Sequence, residues 1–496
     1  MNKFIHKFGR EHFLIVVLLI ASYWFRIQGF IYSTFAFTYD VGRDMLALLA
    51  MEQTHKPLLI GATTGMHGVF YGPTWYYLLF PFFLIFKGNP SAIALIMATS
   101  GFLTALCGYF LGKKVGGNVI GVTMLALIGV SQVLTEISTQ IWNPNFIPLF
   151  IVVFLLIAVS EKLKIKRFSW IAMGLILGII FDLEIVFGTL FLISALIYLS
   201  VFEKKFRSFK SVVLLGVGFL VVQLPRVLFE LRHDFLMTRT LLNSLEGGDS
   251  SGILTPSPRL VKTFVAILSV WTNTVAWQVS ALGIILLVVS VVILSLSYKK
   301  LEAGQKKFFR FLVITPCVYF VGLSFFNHDI ESHYYIGLPL IFILLVSFVI
   351  GVFYLYLKKS VIMLAIAIVL VASCVNQLKI LNTFQKSEWI GDASVYRNQV
   401  QIVDYIYKEA GSKKFNYLVY TPPIYDYPYQ YLFKWYGAKQ YKYTPDIKAQ
   451  SLLFVVIEPD NIPGRQEAWL EIRKEDGKIV KEKTFQSGIK VQTRLR

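Results

Sequence analysis

Long apolar runs alternate with short basic punctuation through the first three quarters of the chain. A helix crosses a bilayer with about 20 predominantly apolar residues. The runs at 12–31, 91–112, 118–136, 146–160, 211–229, 279–298, 309–326, 334–357 and 361–377 approach that length. The run 168–201 accommodates two shorter spans, with Asp182 and Glu184 at the turn between them. The stretch Thr74 to Phe86 is short, carries Pro81 and is rich in Tyr and Trp, so it reads as an interfacial or re-entrant helix. A further helix near 261–277 is expected along the surface, after a polar loop at 230–260. In that loop Gly247, Gly248, Gly252, Pro256 and Pro258 favour irregular structure. The expected fold class is therefore a polytopic α-helical membrane protein with about eleven transmembrane helices plus interfacial ones.

Basic residues orient the pattern. Lys3, Lys7 and Arg10 precede the first run. Lys113-Lys114, the cluster Lys162 to Arg167, the cluster Lys204 to Lys210, Lys299-Lys300 and Lys358-Lys359 punctuate later ones. The positive-inside bias puts all of these on the cytoplasmic side, with the N-terminus cytoplasmic. The first run could be mistaken for a signal peptide, but no small-residue cleavage site follows it, so a retained span is expected.

The chain changes character near residue 379, dividing into a membrane domain (1–378) and a soluble domain (379–496). "FNYLVYTPP" and "SLLFVVIEP" read as buried strands, and "KIVKEKTFQ" and "IKVQTRL" as partly alternating ones. "ASVYRNQVQIVDYIYKEAG" reads as an amphipathic helix ending at Gly411. A small C-terminal α/β domain results, and an odd number of crossings makes it extracytoplasmic.

Composition agrees with this reading. Of 496 residues 56% are hydrophobic and 16% charged, against about 25% charged in ordinary soluble domains. The formal net charge of +19 is explained by the basic loops, so no nucleic-acid partner is invoked. Cys107, Cys317 and Cys374 all fall in apolar segments, with spacing that suits neither a metal site nor a disulfide framework.

The derived topology gathers polar residues on the outer face. Asp40, Arg43 and Asp44 follow the first span in "YDVGRDM". Carboxylates beside a membrane exit are costly and often functional. Asp40 either acts as a proton acceptor or pairs with Arg43 and caps a helix starting near Val41. Arg43, three positions on, either holds a phosphate or forms a structural ion pair. Arg226 and Arg232 lie outside, against the positive-inside trend, and are candidate phosphate ligands. Candidate cavity residues are His67 and Tyr71 in the glycine-rich loop Gly61 to Trp75, Trp142, Asn143, Glu184, His333 and Tyr334. Asp182 and Glu184 read equally as an exposed turn or as a polar cavity wall. His328, Asp329, Glu331 and His333 have ligand-like chemistry, but their spacing matches no standard pattern. No cofactor is expected, and a divalent metal is not favoured.

Several of these strings resemble a known family. "YDVGRDMLALLAM" is similar to the first outer-loop motif of the glycosyltransferase C superfamily, in the protein O-mannosyltransferase and lipid A aminoarabinose transferase clan. "PLLIGATTGMHGVFYGPTWYYLL" resembles the Gly-Pro-aromatic stretch of a bacterial, glycosyltransferase family 39-like branch, and "IWNPNFIPLF" resembles the second outer-loop motif. "GLILGIIFDLEIVFG" and "HYYIGLPL" are weaker matches, and the likeness covers roughly residues 1–350. The clan often has Asp-Glu in the first motif; here Val41 replaces the glutamate and an acid returns at Asp44.

The resemblance implies an inverting transfer from a polyprenyl-phosphate-linked sugar donor in the membrane to a lipid, protein or glycan acceptor. Asp40 would activate or orient the acceptor, with Asp44 a candidate for the second acid. Arg43 and another outer arginine would stabilise the departing phosphate. The rival readings are a transporter or flippase of lipid-linked sugars, and a noncatalytic assembly protein. Charges within spans and an internal repeat would mark a flippase; the spans are mostly uncharged and no repeat is evident.

Overall fold

The computed structural model describes residues 9–160, 167–246, 256–326, 330–354, 375, 377, 378, 392–422 and 425–496. Helix α1 (Arg10–Tyr32) is followed by α2 (Tyr39–Thr54), α3 (Thr74–Ile85), α4 (Pro90–Gly116), α5 (Asn118–Val130) and α6 (Gln132–Thr139). The bundle continues with α7 (Ile147–Ala158), α8 (Arg167–Leu183), α9 (Ile185–Phe202), α10 (Phe209–Arg232) and α11 (Leu236–Glu246). It closes with α12 (Pro256–Val275), α13 (Ser280–Ser297), α14 (Ala303–Ser324) and α15 (Leu338–Tyr354). Among the described residues, seven helices are long and apolar enough to cross a membrane, or up to eight if the bent pair α5–α6 forms one span. This is a multi-pass membrane protein. The proposed span 361–377 and the boundary at 379 lie almost wholly outside the described residues, as do Lys162, Lys164, Lys166, Lys358, Lys359 and Cys374.

Two expectations need correction. The run 118–136 is not one straight span: α5 and α6 meet at 58° around Ser131. The cause is a set of donors from distant sequence. The Arg26 guanidinium, buried in α1, donates to the carbonyls of Ile128 (2.8 Å) and Gly129 (2.8 Å). Gln377 Nε2 donates to the Val130 carbonyl (3.2 Å). Ser131 Oγ accepts from the Leu134 amide (3.3 Å), capping α6. Carbonyls freed by a break in hydrocarbon need such partners. The other correction concerns 261–277, which is not simply a surface helix. Helix α12 packs against α13, α14 and α15 and buries Trp271, while Val261 and Phe264 remain exposed. Within the polar loop, 236–246 is helical, because Glu230 accepts the Met237 (2.9 Å) and Thr238 (3.0 Å) amides at its start. The glycines at 247, 248 and 252 lie outside the described residues.

Basic loops gather at one end of the bundle. Lys307 pairs with Glu203 (3.2 Å), and Gly116, after Lys113-Lys114, abuts Gln305. The C-terminal sheet domain sits against the loop and helix that follow α1. It contains α16 (Tyr396–Ala410), β1 (Asn416–Tyr420), α17 (Tyr427–Leu432), β2 (Leu452–Ile457), α18 (Arg465–Ile472), β3 (Lys478–Thr484) and β4 (Lys490–Leu495). The sheet order is β1-β2-β4-β3, with β1 and β2 parallel and the other pairs antiparallel. Ile402, Val403 and Ile406 of α16 and every residue of β2 are buried. Strand β3 is exposed along its length, and its lysines suit an edge.

The two domains are tied together by backbone. Phe37 N donates to Ser394 O (2.7 Å), Tyr396 N to Phe35 O (3.1 Å) and Arg397 N to Ser33 O (3.1 Å). Helix α17 lies on α2. A Cβ at Gly42 would stand 2.4 Å from Pro428 N, so no larger residue fits there. Gly42→Leu is expected to destabilise the docked arrangement by roughly 1–3 kcal/mol. Limited proteolysis checks this: the variant should release the C-terminal domain at protease levels the parent resists.

Candidate active site

Three buried acids converge on one short stretch. Tyr71 to Tyr76 ("YGPTWY") reaches each of them in turn. Tyr71 OH donates to Glu184 Oε2 (3.0 Å), and Thr74 Oγ1 to Asp182 Oδ2 (2.5 Å). Trp75 Nε1 donates to Asp44 Oδ2 (2.8 Å), and Tyr76 OH to Asp44 Oδ1 (3.1 Å). Gly72 makes the approach to α8 feasible: a Cβ there would lie 1.9 Å from the Asp182 carboxyl carbon. Pro73 then leads into α3, whose start carries the two aromatic donors.

Asp40 and Asp44 differ in accessibility although four residues apart on α2. Arg43 links them: its Nη1 donates to Asp40 Oδ1 (2.6 Å), and its Nε (3.0 Å) and Nη2 (2.9 Å) to Asp44 Oδ1. The Asp40 side chain is 27% exposed and that of Asp44 6%. Burial pushes the Asp44 carboxyl up, while Arg43 and the Trp75 indole pull it back. With four hydrogen bonds and no open side, Asp44 is arranged to hold Arg43, Trp75 and Tyr76. Asp40, in the first turn of α2, is the more exposed acid.

Glu184 interrupts the α8–α9 pair and caps α9 by accepting from Val186 N (3.2 Å). His333 Nε2 stands 3.7 Å from Glu184 Oε2. Around it, Trp142 meets the His333 ring edge-on (5.2 Å), and Tyr334 packs against the same ring (4.6 Å). Asn143 is buried, and its Nδ2 donates to Leu183 O. Burial raises the Tyr71 hydroxyl most, followed by the Glu184 charge, with Asp40 among the further contributors. Arg226 Nη2 approaches Asp182 Oδ1 at 2.9 Å, yet the contact is off the hydrogen-bond axis. Nε and Nη2 of Arg226 are buried without a hydrogen-bond acceptor. Arg226 thus keeps donor capacity that Arg43 has committed. Arg232 is exposed near the end of α10, and His67 is exposed in the loop.

ArnT from Cupriavidus metallidurans bound to undecaprenyl phosphate matches with TM-score 0.58 at 11% identity, over 97% of each chain. The chain shares the fold of that protein. The Archaeoglobus fulgidus oligosaccharyltransferase in complex with Zn and sulfate gives TM-score 0.46 at 13% identity, over 84% of this chain and 61% of that one. No family model matches the sequence, and no curated protein does.

Within that fold, Asp40, Arg43, Tyr71, Trp142, Asn143, Glu184, Arg226, His333 and Tyr334 lie in linked clusters, whereas His67 and Arg232 make no contact described here with them. His328 and Asp329 lie outside the described residues. Among the described residues no group of three or more His, Cys, Asp or Glu is placed to hold a metal ion. Trp75, Tyr76 and Thr74 were not among the sequence candidates. Their signal was the aromatic and hydroxyl cluster directly after Gly72-Pro73.

Burial pushes the Glu184 carboxyl up to about 7 from an ordinary 4.5, against the opposing hydrogen bond from Tyr71. The folded state then holds this proton over a pH range in which the unfolded chain has lost it. The associated stability is complete below 4.5 and falls as pH rises toward about 7, by up to about 3 kcal/mol. Glu184→Gln should flatten that part of the profile, as read by thermal unfolding in nanodiscs across this range.

Proposed function

We propose that this chain is a membrane glycosyltransferase that moves a sugar, with inversion, from a polyprenyl-phosphate donor to an acceptor on the extracytoplasmic face of the plasma membrane. The observation that carries the reading is Asp40: a partly exposed carboxylate held by Arg43 in the first turn of α2, in a set of linked clusters that also holds an arginine, Arg226, with unfilled donors. Asp40 takes the proton of the acceptor nucleophile as it attacks the anomeric carbon. The bond from that carbon to the phosphate oxygen breaks, and negative charge builds on the lipid phosphate. A preorganised cation lowers that barrier most where water is excluded. Arg226 is better suited to the phosphate than Arg43, because Arg43 already spends three N–H groups on Asp40 and Asp44. The undecaprenyl phosphate of the ArnT structure supports a donor of this class. The basic loops at the opposite end of the bundle support a cytoplasmic N-terminus and an outward soluble domain.

Purified protein reconstituted with a labelled polyprenyl-phosphate sugar and candidate acceptors tests the reading. The expected result is release of free polyprenyl phosphate in step with glycosylated acceptor. Transbilayer movement of an intact donor, with no acceptor consumed, would establish the flippase reading instead.

A further inference from the structure

A cavity of about 540 Å³ opens beside the Glu184 cluster and shares Trp142 and His333 with it. Its wall carries five carboxamides, from Gln132, Gln140, Asn145, Asn273 and Gln278. Each carboxamide both donates and accepts, which matches hydroxyl groups that do the same. The indoles of Trp142 and Trp277 add flat apolar area suited to the C–H face of a sugar ring. No Lys or Arg lines the cavity among its described residues, and Glu136 supplies a carboxylate. Phosphate oxygens accept only and favour cationic forks, so this wall disfavours a phosphate.

The cavity continues into an apolar groove of about 230 Å³. Gln132, Asn273, Thr274 and Trp277 line both, and beyond them Val289, Ile293, Ile343 and Val346 of the spans α13 and α15 take over. A chamber that mixes carboxamides with indoles and aliphatic side chains, joined to a hydrocarbon-like groove, calls for one ligand with both characters. The break between α5 and α6 shapes the junction, because Ser131 and Gln132 lie at it and line the groove.

We infer that the cavity and groove together bind a glycolipid with an uncharged sugar head and a hydrocarbon tail, and that this lipid is the acceptor. Only the word acceptor rests on the proposed transferase activity; the binding does not. The same sugar-on-lipid chemistry could come from the sugar of the donor, and the experiment separates the two sources.

The test uses the full chain in nanodiscs and equilibrium binding of three probes: a neutral glycosyl diacylglycerol, polyprenyl phosphate, and a polyprenyl-phosphate sugar. Asn273 and Gln278 are exposed, so Asn273→Leu with Gln278→Leu leaves the core intact. The double variant is expected to weaken the neutral glycolipid about tenfold or more and leave both polyprenyl probes unchanged. Arg226→Gln is expected to weaken the polyprenyl probes and spare the glycolipid, which also reports that the cavity stays folded. Absence of saturable glycolipid binding to the parent protein overturns the inference. So does a double variant that loses only the sugar-charged donor, which would assign the cavity to the donor's sugar. Failure of the transferase reading would appear separately, as glycolipid binding without any sugar transfer.

Discussion

Asp40→Asn should reduce sugar transfer by about 10²–10⁴-fold, the range a positioned general base contributes, and leave folding intact. The second half of that expectation comes from exposure. Asp40 is 27% exposed, and its pair with Arg43 is of the half-solvated kind that contributes about 0–1 kcal/mol. The asparagine keeps an acceptor for Arg43 Nη1, so the guanidinium stays in place. Transfer from a labelled polyprenyl-phosphate sugar, measured beside thermal unfolding, checks both halves. A variant that kept full activity would remove Asp40 from the chemistry. One that lost activity and stability together would make it a structural residue.

Asp44→Ala should show the opposite profile, with loss of the folded protein itself. Four hydrogen bonds end on this carboxylate, from Arg43, Trp75 and Tyr76. Its removal leaves a partly buried guanidinium, an indole N–H and a phenol without their acceptor. Breaking a buried charge pair by deleting one partner costs about 3–5 kcal/mol, a large share of a typical folding free energy of about 5–15 kcal/mol. The effect should reach the C-terminal sheet domain as well, since α17 rests on the same helix. Size-exclusion profiles and yield from membranes measure it. An Asp44→Ala protein with normal yield and melting temperature would contradict this account of its role.

The sequence exposed those features that depend on local periodicity. Apolar runs of membrane-crossing length near 185–202, 209–232 and 332–354 are legible because burial in lipid demands about 20 apolar residues. The strands of the C-terminal sheet domain are legible from their apolar runs and turn residues, most clearly β2, whose six residues are all buried. The break at Ser131 is not legible in this way. It depends on Arg26 and Gln377 reaching carbonyls more than a hundred residues away in sequence. A lone arginine within the first apolar run was the available sign.

The site divides in the same way. Asp40 and Arg43 are three positions apart, so one helical face carries both, and their pairing could be read from spacing. The difference between Asp40 and Asp44 could not, because it is set by Trp75 and Tyr76 packing over one acid only. Gly42 likewise gives no local hint of its purpose, which is to admit the backbone of Pro428 from the other domain.

The most direct measurement is a structure of the protein in a lipid nanodisc with polyprenyl phosphate bound. The account places the phosphate oxygens about 3 Å from Arg226 nitrogens, with the open side of Asp40 facing the position a departing sugar would occupy. A phosphate seated at the basic end of the bundle, beside Lys113 and Lys307, or one enclosed far from both Arg226 and Asp40, would contradict it.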